Sequence, residues 1–374
     1  MKFHRILVSR EALKLENVLQ AGQAFRWIWD EKNDLYMTSI LIPGHDKYGI
    51  VILRQKRIKK EQDDEYIEFA FKHPTWEYSC VENYLKQYFR LEVDLVAQLE
   101  NWTLKDPNFL NISSQGIRIL SQEPWETLIS FICSSNNNIS RITKMCHNLS
   151  TYYGNKIGKF NDMEFYSFPT SEQLIEKATE QELRDLGFGY RAKYIIETAR
   201  KMIQDQKRFN VSTDQEVFFH ISKNFSYEKI REHLMGYTGV GPKVADCVCL
   251  MGLHLDHIVP VDVHVTRFAK RDYNIAATKT ELAKIRESYN SLNLPITKKK
   301  INPELDFIRR KLTEKWGPFA GWAQGILFSK EVGSTAGATV AGNVKKRKRS
   351  LDEVDNVDSS IKMKKSITAP KIEA

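Results

Sequence analysis

The residue with the clearest capacity for covalent chemistry is Lys243, which follows Pro242 in the run GVGPKVADCVCLMGL. Pro242 suits the first turn of a helix, which places Lys243 in that turn. A lysine ammonium there opposes the helix dipole at a cost of about 0.3–1 kcal/mol. This cost lowers the pKa of the amine by at most about 0.7 unit. A lysine nucleophile near neutral pH needs a pKa lowered by roughly two units or more, so burial must supply the rest. Cys247, at i+4, shares a helix face with Lys243 and is placed to pack under the amine. The alternative is a surface lysine whose stem packs while its amine stays in water.

A second candidate is Asp262 in the run IVPVDVHVTR, where flanking valines make an unpaired charge expensive. One interpretation is that Asp262 caps a helix running on through Arg267. The other is that its carboxylate stabilises positive charge at a sugar C1′ while a glycosidic bond breaks, and deprotonates a nearby lysine. The two interpretations are compatible. His264 either donates to a phosphate or is a satisfied core histidine.

Lys243 lies within a predicted helical hairpin over residues 226–253, and Asp262 and His264 follow it. Ser226 caps the first helix, residues 237–241 form a tight turn with two glycines, and Pro242 opens the second helix. Glycines allow close backbone approach, and the exposed amides of the turn and of the new helix favour an anion such as a DNA phosphate. An ordinary hairpin in a helical core is the alternative.

Composition narrows the class of protein. The 374 residues carry 56 Lys plus Arg against 47 Asp plus Glu, a net charge of +9 that suits a polyanionic partner or a merely solvated basic surface. No window approaches the roughly 20 apolar residues of a membrane span, and the N-terminus lacks the apolar core of a secretion signal, so an intracellular protein is expected. The cysteines, at positions 80, 133, 146, 247 and 249, exclude by their spacing a disulfide scaffold and a four-thiolate metal site.

The first part of the chain predicts an antiparallel sheet. Runs rich in aromatic and β-branched residues alternate with a period of two, as in Ile67, Phe69 and Phe71, which indicates half-buried strands. The linkers are too short for helical crossovers. The predicted strands are residues 25–30, 35–42, 48–54 and 66–72.

From about residue 80 to about 330 the pattern is helical throughout. An apolar stripe after Pro124 ends at the run of residues 134–138, and Thr179 with Glu182 forms a capping box. Beyond Glu331 the residues are small and polar and then basic (KKRKR, 345–349), which predicts a disordered tail carrying a nuclear import signal or a phosphate-binding arm. The predicted domains are 1–105 (antiparallel sheet), 106–330 (helical) and 331–374 (tail).

Hairpin, lysine and downstream aspartate together resemble the helix-hairpin-helix DNA glycosylases, and longer strings resemble the eukaryotic 8-oxoguanine DNA glycosylase family. This resemblance implies an α+β fold, in which a twisted antiparallel sheet of the TATA-binding-protein type packs on a helical domain and the damaged base is held between them. Residues 56–80 and the tail show no match. The matching strings are AGQAFRW, EPWETLISFICSSNNNISRIT, LGFGYRAKYI, GVGPKVADCVCLMGL, VPVDVHV and WGPFAGWAQGILFS.

The resemblance also implies the chemistry. Lys243 attacks C1′ of a flipped-out nucleotide and forms a Schiff base, β-elimination cuts the strand, and Asp262 assists the lysine and the sugar cation. For the base, it implies that the Gly22 carbonyl accepts from N7–H of 8-oxoguanine, while Cys247 and Phe328 cover the two base faces and Gln324 reads an edge. Ala24 stands where family members often have Ser. Phe328 as ordinary core remains the alternative.

For the opposite strand, the resemblance implies that Asn136 fills the gap, Tyr190 wedges beside it, and Arg141 and Arg191 read the unpaired cytosine, whose acceptor atoms suit arginine donors. If the resemblance is set aside, the run of asparagines at residues 136–138 is interpreted as a polar helix end, and Tyr190 as a packing residue.

The sequence therefore predicts a monomeric, bifunctional glycosylase and abasic-site lyase, nuclear with a possible mitochondrial pool, acting on double-stranded DNA. Its expected substrates are 8-oxoguanine opposite cytosine and formamidopyrimidine-type purines. No metal or organic cofactor is expected for the chemistry, although backbone carbonyls of the turn before Pro242 suit a monovalent or calcium ion. The alternatives are a monofunctional glycosylase in which Asp262 activates water, and a non-catalytic DNA clamp.

Overall fold

The computed structural model describes residues 1–56, 65–110, 112 and 115–331. Its N-terminal part contains a five-stranded antiparallel sheet in the order β1-β5-β4-β3-β2. The predicted α+β fold is confirmed, although the short first strand (HRIL) was not predicted because it has no alternating pattern. The strands are β1 (His4–Leu7), β2 (Ile28–Asp30), β3 (Leu35–Ile40), β4 (Gly49–Arg54) and β5 (Tyr66–Lys72).

A second, two-stranded sheet lies within the segment that was expected to be entirely helical, and that expectation was wrong. Strands β6 (Lys156–Phe160) and β7 (Met163–Tyr166) form this hairpin. Phe165 of β7 packs in one apolar cluster with Met37 and Ile52, both fully buried on the larger sheet. The larger sheet is therefore covered on both faces rather than half-buried, a contact between distant segments that a local pattern does not show.

The helices otherwise follow the predicted periodicity. Helix α4 begins at Pro124, as predicted, and the Thr179–Glu182 capping box is present. The α-helices preceding the hairpin are α1 (Leu15–Leu19), α2 (Tyr78–Tyr88), α3 (Leu95–Lys105), α4 (Pro124–Ser134), α5 (Ile139–Tyr153), α6 (Ser171–Lys177), α7 (Glu180–Asp185), α8 (Arg191–Phe209) and α9 (Asp214–Asn224). Those from the hairpin onward are α10 (Tyr227–Met235), α11 (Pro242–Met251), α12 (Val263–Tyr273), α13 (Lys279–Ser291), α14 (Pro295–Lys300) and α15 (Pro303–Trp316), and residues 320–331 are also helical. None of the helices described is long and apolar enough to span a membrane.

Two contacts position the site. Helices α4 and α11 pack in the main apolar core through fully buried side chains such as Leu128, Ile132 and Val248. Arg26, just before β2, forms a two-pronged ion pair with Glu126 of α4, with Nε–Oε1 and Nη2–Oε2 distances of 2.9 and 2.8 Å. Such paired geometry fixes orientation, so the sheet and α4 are joined. Residues Met1–Phe328 form one compact unit. The predicted tail, apart from Glu331, lies outside the described residues.

Candidate active site and DNA interface

The hairpin turn between α10 and α11 packs closely on α8. Gly239 has φ of +81°, and a Cβ there would lie 2.6 Å from Cδ2 of Tyr194, so the position requires glycine on both counts. Thr198 Oγ1 donates to the Thr238 carbonyl at 3.0 Å. Among the described residues, the amides of Gly239 and Gly241 have no acceptor. They remain available to an anion at the start of α11, as the sequence predicted.

Lys243 lies in the first turn of α11, and its side chain is half-buried. Its Nζ is 4.7 Å from the ring centroid of Phe131 on α4. Cys247, one turn later, is 2% exposed, and burial raises the pKa of its thiol to about 11 although the Lys243 charge lowers it. A neutral thiol and an aromatic face thus flank the amine, which confirms the predicted packing of Cys247 beside Lys243.

Asp262 caps α12, as predicted. Its Oδ1 accepts from the backbone amides of His264 and Val265 at 2.9 and 3.0 Å. Because both bonds use the same oxygen, the cap fixes the carboxylate without engaging Oδ2. The capping and catalytic interpretations of Asp262 therefore remain compatible.

One cavity of about 860 Å³ brings part of the predicted site together. Lys243, Asp262, His264 and Asn136 all line it, and its lining residues come from the helical part of the chain. The two residues predicted to perform the chemistry thus line one cavity. The hairpin turn with its free amides also borders this cavity. This geometry suits attack by an amine on a bound group with a carboxylate alongside.

The residues predicted to bind the base lie outside that lining. Phe328 is half-buried, and its ring meets His264 edge-on at 5.7 Å between centroids, while Gln324 is 8% exposed. His264 Nδ1 is buried and has no hydrogen-bond partner in the described structure. Gly22 has φ of +83°, and a Cβ there would lie 3.1 Å from Cδ1 of Ile139. Glycine thus permits a backbone conformation and a close approach that other residues strain.

The residues predicted for the opposite strand surround the end of α4. Asn136 is exposed with φ of +49°, and Tyr190, 45% exposed, donates through its hydroxyl to the Ser135 carbonyl at 3.0 Å. Arg191 is buried, and its Nη2 donates to the same carbonyl and, at 3.1 Å, to that of Asn136. Arg141 Nη2 donates to the Gly187 carbonyl at 2.9 Å. Arg191 thus supports the turn that presents Asn136.

Comparison with known proteins agrees with this geometry. The family model "8-oxoguanine DNA glycosylase, N-terminal domain" matches residues 5–128, and that of the "HhH-GPD superfamily base excision DNA repair protein" matches residues 129–291. The N-glycosylase/DNA lyase of Saccharomyces cerevisiae is 56% identical over 93% of this chain and 91% of the yeast protein. The Arabidopsis thaliana N-glycosylase/DNA lyase OGG1 is 31% identical over 88% of this chain and 80% of that protein.

Solved structures of such glycosylases are also similar to this chain. The 8-oxoguanine glycosylase/lyase of Clostridium acetobutylicum, bound to double-stranded DNA with cytosine opposite 8-oxoG, is similar with a TM-score of 0.63. It is 26% identical, and the match covers 87% of this chain and 93% of the bacterial one. This chain belongs to the 8-oxoguanine DNA glycosylase family.

The cavity wall also carries a buried network of paired charges that no single sequence motif predicted. Arg231 Nη1 donates to Asp306 Oδ1 at 2.9 Å and Nη2 to Asp246 Oδ2 at 3.1 Å, and Arg309 Nε donates to the same Asp306 oxygen at 2.9 Å. Burial opposes ionisation, yet Arg309 and Arg231 lower the pKa of Asp306 to about 2. Of the residues in this network, only Asp246 lies near a motif that the sequence singled out, since it follows Lys243 by three positions.

The role of Lys300 was not predicted either, and it bears on the monovalent or calcium ion that was expected at the turn before Pro242. Its Nζ donates to the carbonyls of Met235 and Val240 at 2.6 and 2.9 Å, on either side of the hairpin turn. An ammonium group already binds these oxygens, so the residues present do not fit a metal ion at this place.

Proposed function

We propose that this chain excises 8-oxoguanine, and formamidopyrimidine-type purines, from positions opposite cytosine in double-stranded DNA and then cuts the strand at the abasic site. Its relatives carry the names N-glycosylase/DNA lyase and 8-oxoguanine glycosylase/lyase. The observation that carries the proposal is the half-buried amine of Lys243, held against Phe131 in a cavity that it shares with Asp262.

The reaction begins when the damaged nucleotide leaves the duplex, at a cost of a few kcal/mol that contacts in the pocket and the gap must return. Once deprotonated, the Lys243 amine attacks C1′ as the bond from C1′ to the base breaks, and the base leaves with the bonding electron pair and takes up a proton. Asp262 Oδ2 takes a proton from the amine and stabilises the positive charge on the sugar. Opening of the sugar gives a Schiff base, and loss of a C2′ proton then expels the 3′ phosphate.

Recognition is divided between the two strands. On the lesion strand, we assign Gly22 to the N7–H that guanine lacks, Cys247 and Phe328 to the base faces, and Gln324 to the base edge. His264 is assigned to a phosphate. Opposite the lesion, Asn136 fills the gap, Tyr190 wedges beside it, and Arg141 and Arg191 bind cytosine. The exposure of Asn136 and Tyr190 next to the end of α4 supports this division.

Borohydride trapping tests the covalent step. Wild-type protein with a duplex containing 8-oxoguanine opposite cytosine should give a stable adduct on reduction, and Lys243→Gln should give none. Lys229→Gln, an exposed lysine on α10, is the matched control and should react like wild type. Base release without an adduct in wild type would show a monofunctional enzyme, and neither base release nor adduct would show a DNA-binding module.

For location, we propose import into the nucleus through the basic run at residues 345–349, which lies outside the described residues. A fluorescent fusion should be nuclear and should redistribute when this run is replaced by alanine. A fusion that stays nuclear after the replacement would refute the role of this run, and signal in mitochondria would show the second pool.

A further inference from the structure

The hairpin turn is bound by a charge that comes from α14, on a residue that lines the same cavity as the turn. Lys300 Nζ donates to the carbonyl of Met235, the last residue of α10, and to that of Val240, within the turn. Among the described residues, Lys300 is the one that donates a hydrogen bond to each of these two carbonyl oxygens. One ammonium thus joins the two ends of the segment whose amides are free to bind an anion.

The contact of Lys300 with the two carbonyls also changes the electrostatics of the turn. The last carbonyls of α10 form the negative end of its dipole, and they lie on the same turn as the amides of Gly239 and Gly241. A phosphate that binds those amides is repelled by uncompensated carbonyl oxygens of the same turn. A positive charge on the carbonyls removes this repulsion and holds the turn in the conformation that presents the amides.

The ammonium is held in place by the rest of its helix. Glu232 of α10 accepts from the amides of Ile296 and Thr297 at 2.8 and 2.6 Å, and from Thr297 Oγ1 at 2.5 Å. Thr297 is fully buried. Helix α14 is therefore fixed to α10 at its start through Glu232 and at its end through Lys300, so Lys300 acts from a defined position.

On the basis of the proposed function, we infer that Lys300 is the built-in cation of the DNA-binding hairpin. Its ammonium neutralises the Met235 and Val240 carbonyls and keeps the amides of the turn directed toward a phosphate, at the turn where the sequence predicted a monovalent or calcium ion. Lys300 is a positioning residue, since it acts on DNA through the turn.

Exchange of the salt cation tests this role, because carbonyl oxygens bind K⁺ and do not bind tetramethylammonium in the same way. The variants are Lys300→Met, which removes the charge, Lys300→Arg, which keeps it, and Lys299→Met, which removes an equal charge from the neighbouring exposed residue. Affinity is measured by fluorescence anisotropy at constant ionic strength, using a duplex with an uncleavable abasic-site analogue opposite cytosine. Melting temperature without DNA is measured in the same salts.

In tetramethylammonium, Lys300→Met should bind about tenfold more weakly than Lys299→Met, as expected for a lost charge-assisted hydrogen bond, and K⁺ should restore most of the difference. K⁺ should also raise the melting temperature of Lys300→Met but leave that of wild type unchanged, while Lys300→Arg should bind within a few-fold of wild type in both salts.

The inference is overturned if Lys300→Met matches Lys299→Met in every salt, if wild type itself depends on K⁺, or if no cation restores the loss. The melting measurement needs no DNA chemistry, so it decides the role of Lys300 even when base excision by wild type fails.

Discussion

The cavity wall carries charged groups in two different environments: in the described part of the chain, some are paired with opposite charges and others are not. Arg231 lies 3% exposed between Asp246 and Asp306, with ion-pair distances of 2.9 Å to each. Lys243, on the same wall, has an aromatic face and a thiol beside it and no carboxylate at ion-pair distance among the residues described. The network satisfies its charges internally, whereas the lysine keeps its nitrogen available to react. Paired groups here stabilise the fold, and unpaired groups carry the chemistry.

The largest effect is expected at the carboxylate that serves both purposes. Asp262→Asn preserves the cap, because asparagine caps as well as aspartate, but it removes the charge and the proton acceptor, so base excision should fall by about 10²- to 10⁴-fold. Single-turnover excision and thermal melting measure the two properties. Asp262→Ala should lose activity similarly and in addition about 1 kcal/mol of stability. Full activity in Asp262→Asn would assign the residue to capping alone.

Removal of one member of the paired network should damage folding instead. Arg231→Met leaves Asp246 and Asp306 buried without this partner, and a buried pair broken on one side costs about 3–5 kcal/mol in the free energy of unfolding. Urea denaturation measures the loss, with Arg200→Met on an exposed face of α8 as the control. Trapping per folded molecule should persist at low temperature. A stable variant with no trapping would place Arg231 in the chemistry.

The network should also make stability depend on acid. The pKa of Asp306 is lowered to about 2 in the folded protein against an ordinary value of 3.8, so the folded state binds the proton less tightly than the unfolded state. The contribution is therefore fully present above pH 3.8 and is lost as the pH falls towards 2. Its size is about 2 kcal/mol. Denaturation between pH 5 and 2 should show this loss in wild type and not in Asp306→Asn, and equal slopes would contradict it.

The smallest effect is expected at the rim. Tyr190→Phe removes one exposed hydrogen bond to the Ser135 carbonyl and keeps the ring, so stability should change by about 0.5–1.5 kcal/mol or less and DNA affinity by a few-fold at most. Tyr190→Ala, which also removes the ring, should weaken lesion binding further. Anisotropy with lesion duplex measures both variants, and equal losses would show that the hydroxyl rather than the ring is used.

The residues that the sequence located correctly are those with short-range causes. The turn glycines, Pro242 at the start of α11, Cys247 one turn after Lys243 and the Asp262 cap all follow from neighbours within a few positions. The sheet strands β2 to β5 were found in the same way.

The features that were missed depend on contacts between distant segments. Strands β6 and β7 cover β3 and β4, which lie more than a hundred positions earlier, and no local pattern indicates that face. Arg231 finds Asp306, and Lys300 finds Val240, only after helices from separate stretches have packed. A lysine at the end of a six-residue helix has no sequence signal that distinguishes it from Lys298 or Lys299.

Gly239 leaves room for the ring of Tyr194, and that ring meets Tyr190 edge-on, with 5.5 Å between centroids. Under the proposed roles, the phosphate contact and the wedge are therefore attached to a single aromatic side chain. Their spacing along the duplex is set by the protein and not by the DNA.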